Sequence, residues 1–368
     1  RLFAQPGHRP VRWRRGSILT PIRVLVIDDS AVMREIVTAI VNQQNDMQVV
    51  GYGDDPLIAR EQIKALDPDV VTLDVEMPRM DGITFLEKLM RLRPMPVIMI
   101  SALTEANADV TLRALELGAI DCIAKPGAFE GGDLQRFGSE IVEKIRFGAA
   151  LKQRLAMRIS SPPTHSFTTS AAIHAGRQAE QHVICIGAST GGIEAVKQIL
   201  VQLPPACPPV LIVQHLPEIF TRAFAERMDK LCAIRVKEAQ SNDILSPGHA
   251  YVAPGHSHMT LAESERHLVI RLNRKAPINR HRPSVDALFH SAASVVGAHG
   301  IGILLTGMGR DGADGLLAMR AAGAFTVAQD EQSSVIFGMP RSAIEIGAAG
   351  KVLPLQSIAG EIRNYLGG

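Results

Sequence analysis

The sequence predicts an α/β fold built from two doubly wound units, and three observations support this prediction. Short apolar runs with the length of buried strands alternate with segments of helical period along almost the whole chain. Charged and hydroxyl side chains stand directly after several of these runs, where open α/β sheets place their functional sites. A segment at 157–181, poor in large apolar residues and rich in Ser, Thr and Pro, divides the runs into two sets and is expected to be a flexible linker.

Composition limits the classes of protein that the chain can represent. A length of 368 residues and a hydrophobic content of 46% allow two domains with packed cores. No apolar run reaches the roughly 18 residues that span a bilayer, so we expect no direct membrane insertion. The formal net charge of +2 favours no nucleic-acid partner. The four cysteines form no C-x-x-C pair, which indicates reduced thiols in a cytoplasmic protein.

Four segments follow from these patterns. Residues 1–20 are rich in arginine and lack the apolar core of a secretory signal, so we expect a disordered basic extension. Residues 21–145 form the first unit, 146–181 a helix end and the linker, and 182–368 the second unit.

The first unit has five predicted strands that alternate with five predicted helices. The strands are expected at 22–27, 47–51, 70–73, 97–100 and 122–124, and the helices at 31–43, 56–66, 83–92, 106–117 and 134–154. Regular alternation of this kind predicts a five-stranded, doubly wound parallel sheet with helices on both faces.

Polar side chains follow four of these five strands. Asp28 and Asp29 follow the first strand, Asp74 the third, Ser101 the fourth and Lys125 the fifth. Converging carboxylates repel one another unless a cation joins them, and Mg²⁺ with oxygen ligands is the simplest such cation. The lysine and the hydroxyl group suit a phosphoryl group, because both can contact its oxygens.

This part of the sequence resembles response-regulator receiver domains. The resemblance rests on Val26-Ile27-Asp28-Asp29-Ser30, Leu73-Asp74-Val75-Glu76-Met77-Pro78-Arg79-Met80-Asp81-Gly82, Ile100-Ser101-Ala102 and Lys125-Pro126. It implies a flavodoxin-like fold. It also implies that Asp74 accepts a phosphoryl group, which Ser101 and Lys125 contact. It also implies that the metal ligands for Mg²⁺ are Asp28, Asp29, Asp74 and the backbone carbonyl of Glu76.

Two details of this resemblance concern the end of the fifth strand. The family pattern implies a cis peptide bond between Lys125 and Pro126. The family usually has an aromatic switch residue three positions before the lysine. Cys122 occupies that position here, so the chain departs from the aromatic switch while it keeps the residues for phosphorylation.

The second unit is predicted to be a mainly parallel α/β sheet with an antiparallel insertion. Strands are expected from 183, and at 210–215, 234–238, 249–253, 259–262, 267–272, 301–306, 325–328 and 352–355, and helices at 193–201, 220–231, 284–296, 313–322, 340–346 and 358–365. The segments 259–262 and 267–272 are expected to pair as a hairpin.

Ser189, His215 and Asp311 each follow a predicted buried strand of the second unit. Residues 187–191 fit the G-x-S-x-G pattern, in which a sharp turn from strand to helix exposes a serine hydroxyl. The carboxyl ends of parallel strands share one edge of a sheet, so these side chains can combine as nucleophile, base and orienting carboxylate. Their order along the chain differs from the Ser–Asp–His order of α/β-hydrolases.

A different interpretation applies to the glycine-rich turn at 307–312. It matches the G-x-G-x-x-G pattern of dinucleotide-binding folds, and Asp330 ends the next strand. Against this interpretation, Asp311 would crowd an anionic pyrophosphate, and Ser189 and His215 would have no role.

The second unit resembles the chemotaxis protein-glutamate methylesterase (CheB) family, in which a receiver domain and a linker precede the catalytic domain. The resemblance rests on Gly187-Ala188-Ser189-Thr190-Gly191-Gly192, Gln214-His215, residues 279–286 and residues 306–312, and with the receiver it covers 21–368. It implies that Ser189, His215 and Asp311 hydrolyse glutamate γ-methyl esters on chemoreceptors, without a cofactor for the esterase. It points to the Met308 N–H as an oxyanion donor, and some relatives also deamidate glutamine.

The resemblance also implies partners and regulation. The partners would be the methylated cytoplasmic domains of chemoreceptors and a chemotaxis histidine kinase, and we expect a cytoplasmic monomer. An unphosphorylated receiver is expected to cover the catalytic cleft until Asp74 is phosphorylated. A receiver-controlled adaptor with an inactive triad is the alternative. His256 and His258 either face substrate or lie in a solvated loop, and Arg280 and Arg282 either meet acidic receptor surface or support their own loop.

Overall fold

The computed structural model describes residues 20–77, 80–102, 105–126, 131–158 and 182–367. The predicted basic extension, apart from its last residue, and most of the predicted linker lie outside these ranges. Among the described residues, no helix combines the length and the apolar character needed to cross a membrane.

The N-terminal unit is the predicted five-stranded parallel sheet, in the order β2-β1-β3-β4-β5. Its strands are β1 (Ile22–Ile27), β2 (Met47–Gly53), β3 (Val70–Asp74), β4 (Val97–Ser101) and β5 (Asp121–Ala124), and its helices are α1 (Ala31–Asn42), α2 (Pro56–Leu66), α3 (Gly82–Leu92), α4 (Glu105–Glu116) and α5 (Gly131–Arg158). All of its strand pairs are parallel, so the residues that follow β1, β3, β4 and β5 come to one edge of the sheet.

Side-chain caps fix where three of these helices begin. Ser30 Oγ accepts a hydrogen bond from the Met33 N–H, Asp55 Oδ1 accepts one from the Leu57 N–H, and Asp81 Oδ1 accepts one from Thr84. Such caps satisfy N–H groups that have no partner within the helix. They hold the turns that follow β1, β2 and β3 in defined positions.

The C-terminal unit contains a seven-stranded sheet in the order β14-β13-β12-β6-β7-β9-β8, and all of its strand pairs are parallel. Its strands are β6 (Val183–Ala188), β7 (Val210–Gln214), β8 (Arg235–Glu238), β9 (His249–Val252), β12 (Gly300–Leu304), β13 (Phe325–Gln329) and β14 (Lys351–Leu353). The helices are α6 (Gly192–Leu200), α7 (Glu218–Leu231), α8 (Val285–Val295), α9 (Ala313–Ala321), α10 (Met339–Glu345) and α11 (Leu355–Gly367). The expected antiparallel hairpin consists of β10 (His258–Ser264) and β11 (His267–Asn273).

Strand β6 lies at the centre of this sheet and is buried on both faces. Ile184 and Ile186 enter the apolar core on one face, whereas Val183 and Cys185 enter the core on the other. Because β6 pairs with β7 on one side and with β12 on the other, the ends of these three strands are direct neighbours. A crevice at such a point is where open α/β sheets bind ligands.

Two expectations about the N-terminal unit need correction. Helix α5 extends from Gly131 to Arg158, beyond both expected ends, so the helical part of the region after 145 is longer than predicted. The cis peptide bond found among the described residues joins Arg282 to Pro283, so the expectation for Lys125–Pro126 is wrong. Lys125 continues the β5 strand direction, with its N–H bonded to the Ser101 carbonyl at 2.8 Å.

The two units pack against each other through α4 and α7. Leu112 of α4 is buried in the apolar core of the C-terminal unit. Arg227 of α7 forms a two-pronged ion pair with Glu116, in which Nε lies 2.6 Å from Oε1 and Nη2 contacts Oε2. Apolar burial and a charge-assisted pair therefore both hold this interface.

Candidate active site and phosphoacceptor site

Ser189 sits in the turn between β6 and α6, at the carboxyl edge of the sheet. Its N–H donates to the Thr306 carbonyl at 3.0 Å, and its carbonyl accepts from Gln214 Nε2 at 2.8 Å. Gly191 has φ +76°, a conformation that favours glycine, and it lets helix α6 begin one residue later. These contacts hold the serine between the ends of β7 and β12, where its side chain remains partly exposed.

His215 and Asp311 form a direct pair beside this turn. The His215 Nε2 atom lies 2.9 Å from Asp311 Oδ2, so Nε2 carries a proton and donates it to the carboxylate. The buried Nδ1 atom has no hydrogen-bond partner among the described residues. The nitrogen that faces the carboxylate is therefore Nε2, whereas it is Nδ1 in a chymotrypsin-type triad.

Asp311 is buried and receives an unusual number of hydrogen bonds. Besides His215, its donors are Ser284 Oγ at 2.7 Å, the Val285 N–H at 2.7 Å, Asn279 Nδ2 at 3.0 Å and the Asp286 N–H at 3.3 Å. Burial raises the pKa of the carboxyl group. His215, through its hydrogen bond and its charge, lowers this pKa, and the hydrogen bonds from Ser284 and Asn279 lower it further. The lowering effects prevail, so the pKa of Asp311 lies well below the usual range. Because Val285 opens helix α8, the positive end of the helix dipole also favours the carboxylate.

Two backbone N–H groups near Ser189 are available as oxyanion donors. The N–H groups of Met308 and Thr190 make no hydrogen bond to another residue in the part of the chain that the structure describes. Gly307 brings the Met308 turn against the serine, because a Cβ on Gly307 would lie 2.7 Å from Ser189 Cβ. The Thr190 side chain has a different role, since Oγ1 donates to Asp121 Oδ2 of the N-terminal unit at 2.5 Å.

The N-terminal unit brings Asp28, Asp29 and Asp74 together, with one carboxylate oxygen of each within 4.8 Å of the others. Lys125 Nζ lies 2.6 Å from Asp74 Oδ2 and 3.1 Å from Asp28 Oδ2. Burial, opposed by the hydrogen bond from Lys125, raises the pKa of Asp74 to about 6. Ser101 is buried at the end of the adjacent strand, where its Oγ donates to the Ala102 carbonyl at 3.2 Å.

This cluster fits a hard divalent cation. Three carboxylates offer oxygen ligands from two neighbouring strand ends. When all three are ionised they repel one another, and the single positive charge of Lys125 does not neutralise them. The Glu76 N–H donates to Asp74 Oδ1 at 3.3 Å, which places the Glu76 backbone beside the cluster.

The interface between the units covers the serine turn. A cavity of 30 Å³ remains there, lined by residues of both units that include Ile120, Asp121, Ser189, Thr190 and Gln214. This volume accommodates about two water molecules. In this arrangement the N-terminal unit packs against the serine turn, while Ser189 remains partly exposed.

Sequence reasoning missed the residues that support the His215–Asp311 pair from the loop before α8. Asn279 Nδ2 bridges Asp311 and Asp286, with distances of 3.0 and 2.7 Å, and Ser284 caps α8 while it donates to Asp311. The His281 ring stacks on the His215 ring. A serine before a helix is a readable signal for a cap, but nothing local indicated which distant carboxylate it would meet.

The structure decides several open points of the sequence analysis. His258 is buried, with Nε2 bonded to the Ala276 carbonyl and Nδ1 accepting from the Ser284 N–H, so it supports the loop. Arg282 donates to the carbonyls of Arg274 and Lys275, which is also loop support. Cys122 is buried, and burial raises its thiol pKa to about 12.

The dinucleotide interpretation of residues 307–312 is not supported by the geometry. The Asp330 carboxylate accepts from the Ser333 N–H and Oγ at 2.8 and 2.6 Å and so closes its own turn. Asp311 is committed to His215 and to the start of α8.

Both units match families of known proteins. The family model for CheB methylesterase matches residues 184–362, and the model for the response regulator receiver domain matches residues 24–132. The chain is 53% identical over 342 residues to a protein-glutamate methylesterase/protein-glutamine glutaminase of Nitrosomonas europaea, covering 93% of this chain and 95% of that protein. It is 51% identical over 349 residues to a protein of the same description from Geobacter metallireducens, covering 94% and 96%.

A solved structure agrees with these matches. The crystal structure of the Thermotoga maritima CheB methylesterase catalytic domain is 36% identical, with a TM-score of 0.50, and covers 50% of this chain and 99% of that chain. The matches run through both units and nearly the full length of the relatives, so the chain belongs to the CheB methylesterase family and carries a response regulator receiver domain before its catalytic domain.

Proposed function

We propose that this protein hydrolyses glutamate γ-methyl esters on chemoreceptors and that phosphorylation of Asp74 controls this activity. The observation that carries the proposal is the assembly of Ser189 with the His215–Asp311 pair at three adjacent strand ends, beneath the receiver domain. Membership of the CheB methylesterase family supports the choice of ester.

The proposed reaction has two steps. Ser189 Oγ attacks the ester carbonyl carbon while His215 Nδ1 takes the hydroxyl proton, and the same nitrogen then protonates the departing methoxide to give methanol. Water next attacks the glutamyl ester of Ser189, again with Nδ1 as base, and releases glutamate and free serine. A positioned base of this kind contributes roughly 10²–10⁴-fold to the rate.

Two sets of groups stabilise the charges that develop. Asp311 keeps Nε2 protonated and faces the imidazolium that forms when Nδ1 takes the proton. The free N–H groups of Met308 and Thr190 are the candidate donors to the tetrahedral oxyanion, and loss of one such donor typically costs about 10²–10³ in rate.

The receiver supplies the proposed control. Asp74 is the phosphoacceptor, Ser101 and Lys125 contact the phosphoryl group, and Asp28, Asp29, Asp74 and the Glu76 carbonyl hold Mg²⁺. The cation neutralises charge on the phosphoryl oxygens when bound. Phosphorylation of Asp74 weakens the packing of the receiver on the catalytic domain and opens the cavity above Ser189.

The proposed partners are a chemotaxis histidine kinase and the methylated cytoplasmic helices of chemoreceptors, which places the protein in the cytoplasm. Glutamine deamidation is a second proposed activity, because attack of Ser189 on a glutamine amide gives a corresponding tetrahedral intermediate, from which ammonia leaves once His215 Nδ1 protonates the amino group. The descriptions of the Nitrosomonas and Geobacter relatives include protein-glutamine glutaminase.

Methanol release from receptor membranes that carry confirmed methyl esters tests the esterase. Wild type is expected to release methanol, whereas Ser189→Ala and His215→Ala are expected to lose at least about 10³-fold in rate. Equal release by wild type and Ser189→Ala would refute the assignment.

A receiver-controlled adaptor is the second candidate, because Ser189 Oγ and His215 Nδ1 share no hydrogen bond in this arrangement of the domains. Labelling of Ser189 by a fluorophosphonate separates the two functions. An esterase is expected to label in a manner that requires His215, whereas an adaptor would not label at all.

A further inference from the structure

We propose that His281 is a positioning residue for the His215 general base, which it holds in place by ring stacking. This inference rests on the proposed esterase function. It gives His281 a role that is separate from proton transfer and from substrate binding.

The stacking geometry is close and nearly parallel. The centroids of the His215 and His281 rings are 3.8 Å apart, and their planes differ by 8°. His215 is otherwise fixed through one ring atom, since Nε2 bonds to Asp311 while Nδ1 has no partner among the described residues. A single hydrogen bond leaves an imidazole free to tilt about the bonded atom. A ring lying flat against one face removes that freedom without occupying the basic nitrogen.

A tight turn holds His281 at this position. Ile278 and His281 exchange both backbone hydrogen bonds, at 2.8 and 3.0 Å. The two residues between them, Asn279 and Arg280, have φ values of +51° and +69°. A left-handed conformation is unfavourable for arginine, and residues held in it often mark functional sites.

The same turn reaches the other member of the pair. Asn279 Nδ2 donates to Asp311 Oδ1 at 3.0 Å and to Asp286 Oδ2 at 2.7 Å. One four-residue turn therefore contacts both Asp311, through Asn279, and His215, through His281. This arrangement fixes the relative position of the carboxylate and the imidazole from outside the sheet.

The electrostatic surroundings suit a neutral ring at position 281. Burial, together with the neighbouring His215, lowers the pKa of His281 to about 4, against the attraction of Asp311. Lys144 of the receiver and Arg280 also disfavour a charge on this ring. At neutral pH the ring therefore presents an uncharged π-face to His215, which is compatible with the imidazolium that forms there during catalysis.

The test compares two replacements of similar volume, His281→Phe and His281→Leu, in the full-length chain. His281→Phe keeps a flat ring without an ionisable group, whereas His281→Leu fills the space without a ring. The readout is the pH dependence of Ser189 labelling by a fluorophosphonate with phosphodonor present, together with kcat and KM for methanol release. His290→Ala is the matched control, because His290 is an exposed histidine on α8.

His281→Leu is expected to slow labelling about tenfold to a hundredfold at neutral pH and to lower kcat with little change in KM, because the base loses its alignment. His281→Phe and His290→Ala are expected to stay within about threefold of wild type. Equal rates for His281→Leu and wild type, or equal losses for His281→Leu and His281→Phe with unchanged thermal midpoints, would overturn the inference. If wild type itself showed neither labelling nor methanol release, the result would instead refute the esterase function on which the inference rests.

Discussion

The candidate triad depends on how one buried carboxylate is held. Asp311 combines four donors from a distant loop and helix start with the single bond to His215. Its low pKa means that the carboxylate stays ionised through the physiological range. The Asp311 carboxylate is therefore held by residues about 25 to 32 positions earlier in the sequence.

Asn279→Ala tests this support at the level of one side chain. The change removes the donor shared by Asp311 and Asp286 and leaves Asp286 with an unpaired buried oxygen, which costs about 1–3 kcal/mol. We expect kcat for methanol release to fall about tenfold and the thermal midpoint to drop. Asn273→Ala, in the hairpin strand β11, is the control. Wild-type kcat in Asn279→Ala would contradict this account of Asp311.

Asp74 gives a prediction about stability and pH. Its pKa is raised by burial from 3.8 to about 6, so folding favours the protonated form. This contribution is fully present below about pH 3.8 and is lost as pH rises through about 6, a change of about 3 kcal/mol at 1.36 kcal/mol per pH unit. Asp74→Asn removes the buried charge, so we expect a higher thermal midpoint than wild type at pH 7 in EDTA.

The control for this measurement is Glu87→Gln, an exposed acid on α3. Unfolding curves recorded from pH 4 to pH 7 should converge for wild type and Asp74→Asn at the acid end. A gap that widens towards acid pH would contradict the raised pKa.

At the scale of elements, the turn after β12 packs tightly against the serine turn. A Cβ on Gly307 would lie 2.3 Å from Met339 Sδ and 2.7 Å from Ser189 Cβ. Both contacts are too close to persist, so the turn must move away from the serine.

Gly307→Ala is therefore expected to abolish most of the esterase activity and to lower the thermal midpoint. Gly360→Ala is its matched counterpart, because that glycine lies within helix α11 and its Cβ would meet only Arg363 Nη2 at 3.8 Å. The second change should stabilise the protein by about 0.4–1 kcal/mol and leave activity unchanged. Wild-type activity in Gly307→Ala would show that the turn does not set the position of Ser189.

Elements of this kind show what sequence can and cannot predict. The strands and the ends of α2 were predictable, because buried runs and capping residues such as Asp55 act locally. The adjacency of Ser189, His215 and Asp311 was also predictable, since parallel strand ends share one edge. The nitrogen that faces Asp311, the stacking of His281 and the contact of Asp121 with Thr190 were not, because each depends on tertiary packing between segments with no local signal.

At the scale of the whole molecule, the receiver lies on the catalytic domain and leaves little space above Ser189. The contacts that hold it there are Leu112 in the catalytic core, the Glu116–Arg227 pair and the bond from Thr190 to Asp121. On the receiver side, Leu112 and Glu116 belong to α4 and Asp121 belongs to β5. On the catalytic side, Arg227 belongs to α7 and Thr190 to the serine turn. The interface therefore joins the serine turn to the start of β5, the strand that Lys125 follows.

Arg227→Ala tests whether this interface inhibits the enzyme. Loss of the pair with Glu116 weakens the closed arrangement, and we expect basal methanol release without phosphodonor to rise about threefold to tenfold. Arg222→Ala removes an exposed pair with Glu226 on the same helix and should leave the basal rate unchanged. An unaltered basal rate in Arg227→Ala would argue against inhibition by this contact.

The most direct test of the account is methanol release from methylated receptors with and without a small-molecule phosphodonor, in wild type, Asp74→Asn and Ser189→Ala. The account predicts that phosphodonor and Mg²⁺ raise the wild-type rate, that Asp74→Asn keeps only the basal rate, and that Ser189→Ala releases no methanol under either condition. Stimulation that persists in Asp74→Asn would contradict the coupling between the phosphoacceptor and the serine.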